Sequence, residues 1–87
     1  MKLKLEIKRV EDGKIATDIW PNFDYSAYWW EDGNAACDCN RQSFFSHALG
    51  EDEPEDTPCG DGRFLVRLSD ADTAEILYNE FDKDATK

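Results

Sequence analysis

The sequence predicts an α+β fold, in which a small antiparallel sheet of about five to six strands carries one short helix on one face. Three observations lead to this prediction. Apolar and charged residues alternate near the N-terminus, turn-forming residues separate several short apolar runs, and one central stretch has helical spacing. Because 87 residues suffice for one domain and are too few for two, we expect a single domain over 1–87.

A hairpin is predicted at the N-terminus. Leu3, Leu5 and Ile7 alternate with charged residues, as in a half-buried strand, and residues 11–13 supply a turn that ends in glycine. The second strand has to end near Pro21 or lie at an edge of the sheet, because proline cannot donate to a central strand pairing.

Two loop lengths are open for this hairpin. A three-residue loop with Gly13 in the left-handed conformation pairs Ile7 with Thr17 and Leu5 with Ile19. A two-residue loop instead pairs Ile7 with Asp18. We expect the three-residue loop, because it keeps apolar residues on one face of the sheet.

The centre of the chain predicts two more strands and the helix. Residues 25–30 are aromatic and residues 35–39 follow a turn at Asp32 and Gly33, so both runs are assigned to strands. Asn40 is a suitable helix N-cap, and Gly50 lies where a helix commonly ends. Between them, four apolar residues share one face of a helix of about ten residues: Phe44, Phe45, Ala48 and Leu49.

The C-terminal half begins with a predicted acidic loop over 51–62, which holds six acids, no bases, two prolines and two glycines. Residues 64–68 predict a strand and 69–73 a turn. Residues 74–81 fit either a helix or a strand, and we favour a strand that forms a hairpin with the preceding one. The tail, 82–87, is expected to fray.

The charge of the chain limits the kinds of partner that it can bind. Ten bases and twenty acids give a net charge of −10. Residues 1–14 hold five bases and three acids, whereas residues 15–87 hold five bases and seventeen acids. Such a field repels nucleic acid and attracts basic surfaces, which argues against direct nucleic-acid binding and for a basic protein partner. The alternative is that the acidity serves only solubility.

No signal-peptide pattern follows Met1, no apolar run is long enough to span a membrane, and the cysteine count of three is odd. We therefore expect a cytoplasmic protein with free thiols, no membrane contact and no cofactor. The alternative is structural zinc, for which the candidate ligands are Cys37, Cys39, His47 and Cys59. Their spacing matches no standard zinc motif, and no nucleophile and base are paired in a way that predicts an enzyme.

Two sets of residues are candidates for partner binding. The acidic set is Glu51, Asp52, Glu53, Glu55, Asp56, Asp61, Asp70 and Asp72. The aromatic set is Tyr28, Trp29 and Trp30, because tyrosine and tryptophan are common interface anchors, with burial in the core as the alternative. Arg41 is expected to have a structural role, pairing with Asp38 or with a loop carboxylate.

Three motifs stand in the middle of the chain. They are Asp-Gly-Asn at 32–34, Cys-Asp-Cys-Asn-Arg at 37–41 with two phenylalanines at 44–45, and Cys-Gly-Asp at 59–61 before Arg63 and Phe64. With this combination, roughly residues 21–81 resemble a group of small acidic proteins from phages and bacterial mobile elements. That group has no assigned activity, so the resemblance implies a phage context and no functional residue. Small acidic phage proteins often resemble inhibitors that imitate DNA, including anti-CRISPR proteins.

Together these observations predict a binding protein rather than an enzyme. Its carboxylates would occupy the basic groove of a host nucleic-acid-binding protein as substitutes for phosphates, in the manner of an anti-CRISPR-like inhibitor. The alternative is a small structural or accessory domain, with or without zinc.

Overall fold

Four antiparallel strands and two helices make up the described part of this computed structural model. The structure describes residues 1–24, 27–52, 60 and 62–81. The strands are β1 (Leu3–Arg9), β2 (Ile15–Trp20), β3 (Phe64–Asp70) and β4 (Ile76–Asn79), and the helices are α1 (Ala27–Glu31) and α2 (Asp38–Leu49), with a 3₁₀ turn at Asn34–Ala36 between the helices. The predicted α+β class is confirmed, but this part of the chain has four strands, fewer than the five to six expected.

The two central strands supply the core of the sheet, whose order is β2-β1-β3-β4. Leu5 and Ile7 of β1 lie directly opposite Leu68 and Val66 of β3, and all four side chains are buried. Phe45 of α2 is fully buried against the same face. Because burying one such side chain contributes about 1.5–3 kcal/mol, the sheet and α2 stabilise each other.

The β1–β2 hairpin has a four-residue loop, closed by the Arg9 N–H, which donates to the Lys14 carbonyl at 2.8 Å. Gly13 has a φ of 74°, so its predicted left-handed conformation is confirmed. The predicted register is wrong by one residue, because Ile7 lies opposite Ala16 and not opposite Thr17.

The partial burial of Trp20 and the burial of Ala16 account for this register. Ala16 and Trp20 face the helices, and the Trp20 ring stacks on Trp30 with centroids 5.9 Å apart. Ile15 and Ile19 point to the other face and remain 46% and 42% exposed. Tryptophan has the largest apolar surface of the β2 side chains, so its partial burial favours the face of β2 that turns inward.

The strands predicted at 25–30 and 35–39 are wrong in the described residues. Residues 27–31 form α1, residues 34–36 form the 3₁₀ turn, and α2 begins at residue 38. Residues 25 and 26 lie outside the described part of the chain. Aromatic residues favour strands mainly because they pack well on a half-buried surface, and here the short helix α1 provides that packing.

The predicted turn at Asp32 and Gly33 is confirmed, although it joins two helical segments. A Cβ at Gly33 would lie 2.7 Å from the Cα of Trp29 and 2.9 Å from its carbonyl oxygen. Only glycine permits so close an approach of the chain to α1.

Helix α2 starts earlier than predicted. Cys37 is its N-cap residue and Asp38 begins it, so the N-cap expected at Asn40 is wrong. Gly50 has a φ of 73°, which confirms that the helix ends at this glycine. The predicted apolar stripe packs against the core: Phe44, Phe45, Ala48 and Leu49.

The predicted C-terminal hairpin is confirmed, since β4 pairs antiparallel with β3, with a bulge between Leu68 and Ser69. Most of the predicted acidic loop and the whole predicted tail, at 53–59, 61 and 82–87, lie outside the described residues. Over the described ranges, no helix is long and apolar enough to cross a membrane.

Candidate functional site

Arg41 lies at the centre of a buried polar cluster. Its side chain is on the core-facing side of α2, one turn before Phe45, and is 3% exposed. Its Nε donates to the Ala35 carbonyl at 2.7 Å, Nη1 to the Phe64 carbonyl at 2.7 Å, and Nη2 to the Trp30 carbonyl at 2.9 Å. The guanidinium therefore joins α1, the 3₁₀ turn and β3 to α2.

Glu80 supplies the opposite charge in this cluster. It accepts from Arg41 Nη1 at 2.7 Å, from the Val66 N–H at 3.0 Å and from the Tyr78 hydroxyl at 2.8 Å. Burial alone would raise the pKa of Glu80, but the hydrogen bonds and charge of Arg41 outweigh it and hold that pKa below its ordinary value. Burial and the hydrogen bond to Glu80 raise the pKa of Tyr78 above its ordinary value.

This pairing corrects the expected partner of Arg41, which is Glu80 rather than Asp38 or a loop carboxylate. A cavity of about 360 Å³ lies beside the pair, and Trp30 and Tyr78 are among its lining residues. The five N–H groups of Arg41 and both oxygens of Glu80 are already hydrogen-bonded within the protein. The pair is therefore fully engaged by hydrogen bonds within the protein.

Sequence reasoning missed Glu80 and the burial of Arg41. Arg41 has helical spacing with Phe45 and Ala48, and that spacing is the signal that could have placed it on the buried face. No local pattern points to Glu80, which lies 39 residues further along the chain.

The chain returns from the acidic loop onto the first turn of α2. Asp38 is 2% exposed, its N–H donates to the Gly60 carbonyl at 2.7 Å, and its Oδ1 accepts the Arg63 N–H at 3.3 Å. The Val10 N–H, just beyond β1, donates to the Arg63 carbonyl at 2.9 Å. The far end of the loop is therefore held between α2 and the β1–β2 turn.

The chain also enters the acidic loop beside the β1–β2 turn. Lys14 Nζ lies 3.0 Å from Glu51 Oε1, and Asp12 in the same turn accepts the Lys14 N–H at 3.1 Å. Arg9 pairs with Asp12 at 2.6 Å, and this hydrogen bond, supported by that of Lys14, lowers the pKa of Asp12 to about 2. Both ends of the loop thus lie at one end of the sheet.

Exposed acids from two segments meet at this end of the sheet. We name them the hairpin-end acids: Glu11, Asp12, Glu51 and Asp52, all of them exposed. Sequence reasoning missed Glu11 and Asp12, because it treated their segment only as a turn. Four further acids of the predicted set lie outside the described residues: Glu53, Glu55, Asp56 and Asp61.

Asp70 and Asp72 lie at the opposite end of the sheet. Asp70 pairs with Leu3, whereas the other end of the ladder pairs Phe64 with Arg9. The strand length between these two pairs is about 20 Å. Asp70 Oδ1 accepts the N–H of Asp72 at 2.8 Å and closes the β3–β4 turn. The structure therefore does not bring these two predicted acids together with the ends of the loop.

The aromatic set is divided between surface and core. Tyr28 is 69% exposed and Trp29 is half-buried, whereas Trp30 is fully buried. The Trp30 ring lies 5.1 Å from that of Trp29 and 5.9 Å from that of Phe44. The predicted interface position of Trp30 is therefore wrong, because its side chain lies in the core. Tyr28 is the member of the set that reaches solvent.

Of the alternative zinc set, the structure places two cysteines together and His47 apart from them. Cys37 and Cys39 lie at the start of α2 with their Sγ atoms 2.9 Å apart. His47 is exposed near the other end of α2, about 12 Å along the helix from Cys39. Cys59 lies outside the described residues. Within the described residues, no group of three or more possible ligands is placed to hold a metal ion.

No protein-family model matches this chain, and neither a curated protein nor a solved structure shows a significant match to it. The resemblance to small acidic phage proteins therefore stays a prediction.

Proposed function

We propose that this protein binds a basic, nucleic-acid-binding protein, and that its binding surface consists of the hairpin-end acids and the acidic loop that follows Asp52. The carboxylates occupy positions on the partner where phosphates otherwise bind. The observation that carries the proposal is that the loop leaves and returns at the end of the sheet where Glu11 and Asp12 are exposed.

The local ion pairs leave this surface acidic. Arg9 and Lys14 offset Asp12 and Glu51, but residues 51–62 contain six acids and no base. The Lys14–Glu51 pair is about half exposed on both sides, and such surface pairs contribute about 0–1 kcal/mol. The fold therefore depends little on these charges, which are available to a partner.

Three of the other bases lie on a different surface, whereas Arg63 is exposed beside the returning end of the acidic loop. Lys4, Lys8 and Arg67 belong to the face of the sheet that α2 does not cover, where Arg67 pairs with Glu6 at 2.7 Å. This separation of charge orients a basic partner toward the hairpin-end acids during encounter. Such steering acts mainly on the association rate and weakens as salt screens the charges.

The test compares two variants that lose the same charge at different places. The loop variant carries Asp52→Asn, Glu53→Gln and Asp56→Asn. The control variant carries Asp24→Asn, Asp72→Asn and Glu75→Gln, which alter exposed acids outside the loop. Each protein is immobilised, a bacterial lysate is passed over it, and the bound protein is eluted with a salt gradient and assayed for nucleic-acid binding.

The proposal predicts that a captured nucleic-acid-binding protein leaves the loop variant at lower salt than it leaves the parent or the control variant. A solubility-only role for the acidity predicts that the two variants behave alike. The proposal is rejected if both variants release the captured protein at the same salt concentration, or if the captured proteins bind no nucleic acid. Thermal melting should show both variants as stable as the parent or more so, because removing like charges relieves repulsion.

A further inference from the structure

Cys37 and Cys39 form a close pair of thiols that the proposed binding surface does not use. Their Sγ atoms lie 2.9 Å apart, and both side chains are half-buried, within reach of solvent. Asp38 between them is helical, and helix geometry places the two Cα atoms about 5.4 Å apart. This separation falls within the range of about 4.4–6.8 Å found in disulfides.

We propose that Cys37 and Cys39 are a peroxide-sensitive site at which two thiols close to an intramolecular disulfide. The thiolate of one cysteine attacks the O–O bond of hydrogen peroxide, which forms a sulfenic acid and releases one oxygen as water. The second thiol attacks that sulfur, the S–S bond forms, and the other oxygen leaves as water. The dithiol loses two electrons and two protons, and the peroxide becomes two molecules of water.

The backbone on both sides of the two cysteines is held in place by contacts with other parts of the chain. Cys37 is the N-cap of α2 and its Sγ lies 3.6 Å from the Asn34 carbonyl oxygen. Asp38, between the two cysteines, holds Gly60 and Arg63 by hydrogen bonds. The fold therefore fixes the backbone on both sides of the two sulfurs, and closure of the disulfide needs only a small movement of the side chains.

Peptide mapping of the unmodified protein tests this site. Cleavage before each aspartate separates the three cysteines onto the peptides 32–37, 38–51 and 56–60. The reduced, folded protein is treated with one equivalent of hydrogen peroxide, remaining thiols are alkylated in denaturant, and the digest is analysed without reductant. We expect peptides 32–37 and 38–51 to be joined by a bond that a reductant releases, and peptide 56–60 to be alkylated.

Two comparisons make the result specific. The Cys59→Ser variant should form the same linked peptides, whereas Cys37→Ser and Cys39→Ser should not. The reaction should also be faster in the folded protein than in urea, because the fold holds the sulfurs together. The proposal fails if the linked peptides include 56–60, if peroxide leaves all three cysteines alkylated or oxidises them without a link, or if the folded and unfolded rates are equal.

Discussion

At the scale of single residues, the buried pair of Arg41 and Glu80 links several parts of the fold. The pair connects α1, the 3₁₀ turn, α2, β3 and the residue after β4, so five parts of the chain share one hydrogen-bonded cluster. The sequence indicates a structural role for Arg41 but points to nearby acids as partners. Only the folded chain brings Glu80 to it, because the contact is set by the pairing of β3 and β4.

Replacing Arg41 with alanine is expected to lower the free energy of unfolding by about 3–5 kcal/mol, because it leaves the buried Glu80 carboxylate without its counter-ion. Arg63→Ala is the matched control, since the Arg63 side chain is exposed and its loss should cost no more than about 0.5 kcal/mol. Urea unfolding followed by tryptophan fluorescence measures both. Equal losses in the two variants would show that the buried pair is unimportant.

Tyr78 makes stability depend on pH in the alkaline range. The raised pKa of Tyr78 in the folded state means that its stabilising effect is complete below the ordinary tyrosine pKa of about 10 and is lost as pH rises above it. Tyr78→Phe should cost about 1 kcal/mol at neutral pH by removing the hydrogen bond to Glu80. The difference in unfolding free energy between parent and variant should then shrink above about pH 10. A difference that stays constant from neutral to alkaline pH would contradict this account of Tyr78.

At the scale of elements, the sequence predicts strands correctly where alternation is regular and misassigns the aromatic centre. β1 was indicated by its alternation and β3 by its apolar run, whereas the pattern of 74–81 fitted either a helix or a strand, and the strand was favoured because it follows β3. The sequence did not indicate that residues 27–31 form a helix, because a run of Tyr and Trp suits any surface that packs against a core. The register of β2 was also set by tertiary packing, since the burial of Trp20 outweighed the alignment of Ile15 and Ile19.

The β1–β2 turn provides a prediction at this scale. Gly13→Ala is expected to lower the free energy of unfolding by about 1 kcal/mol, because a Cβ is disfavoured at its φ of 74°. No atom lies within 4 Å of the position of that Cβ, so the cost comes from the backbone alone. Gly13→Asn should cost less, because asparagine tolerates the left-handed region. If urea melts show that alanine is neutral or stabilising at this position, the turn conformation is wrong.

At the scale of the whole molecule, the composition predicts an acidic binding protein, and the fold determines where its acids meet. The acidic loop is visible in the sequence as a run without bases. The position of the two ends of the loop near Glu11 and Asp12 is not visible in the sequence, because it follows from long-range contacts of Lys14 with Glu51 and of Asp38 with Gly60. The same contacts place the two ends of the loop at the other end of the sheet from Asp70 and Asp72, which the sequence-based prediction grouped with them.

Competition with DNA measures whether this protein occupies the nucleic-acid site of its partner. The captured partner is bound to a fluorescently labelled DNA duplex, and this protein is titrated in while the fluorescence anisotropy reports the fraction of DNA still bound. We predict that the parent and the control variant (Asp24→Asn, Asp72→Asn, Glu75→Gln) displace the DNA at similar concentrations. The loop variant (Asp52→Asn, Glu53→Gln, Asp56→Asn) should need at least about tenfold more, which corresponds to about 1.4 kcal/mol of binding free energy. Equal displacement by both variants, or no displacement by the parent, would contradict the account.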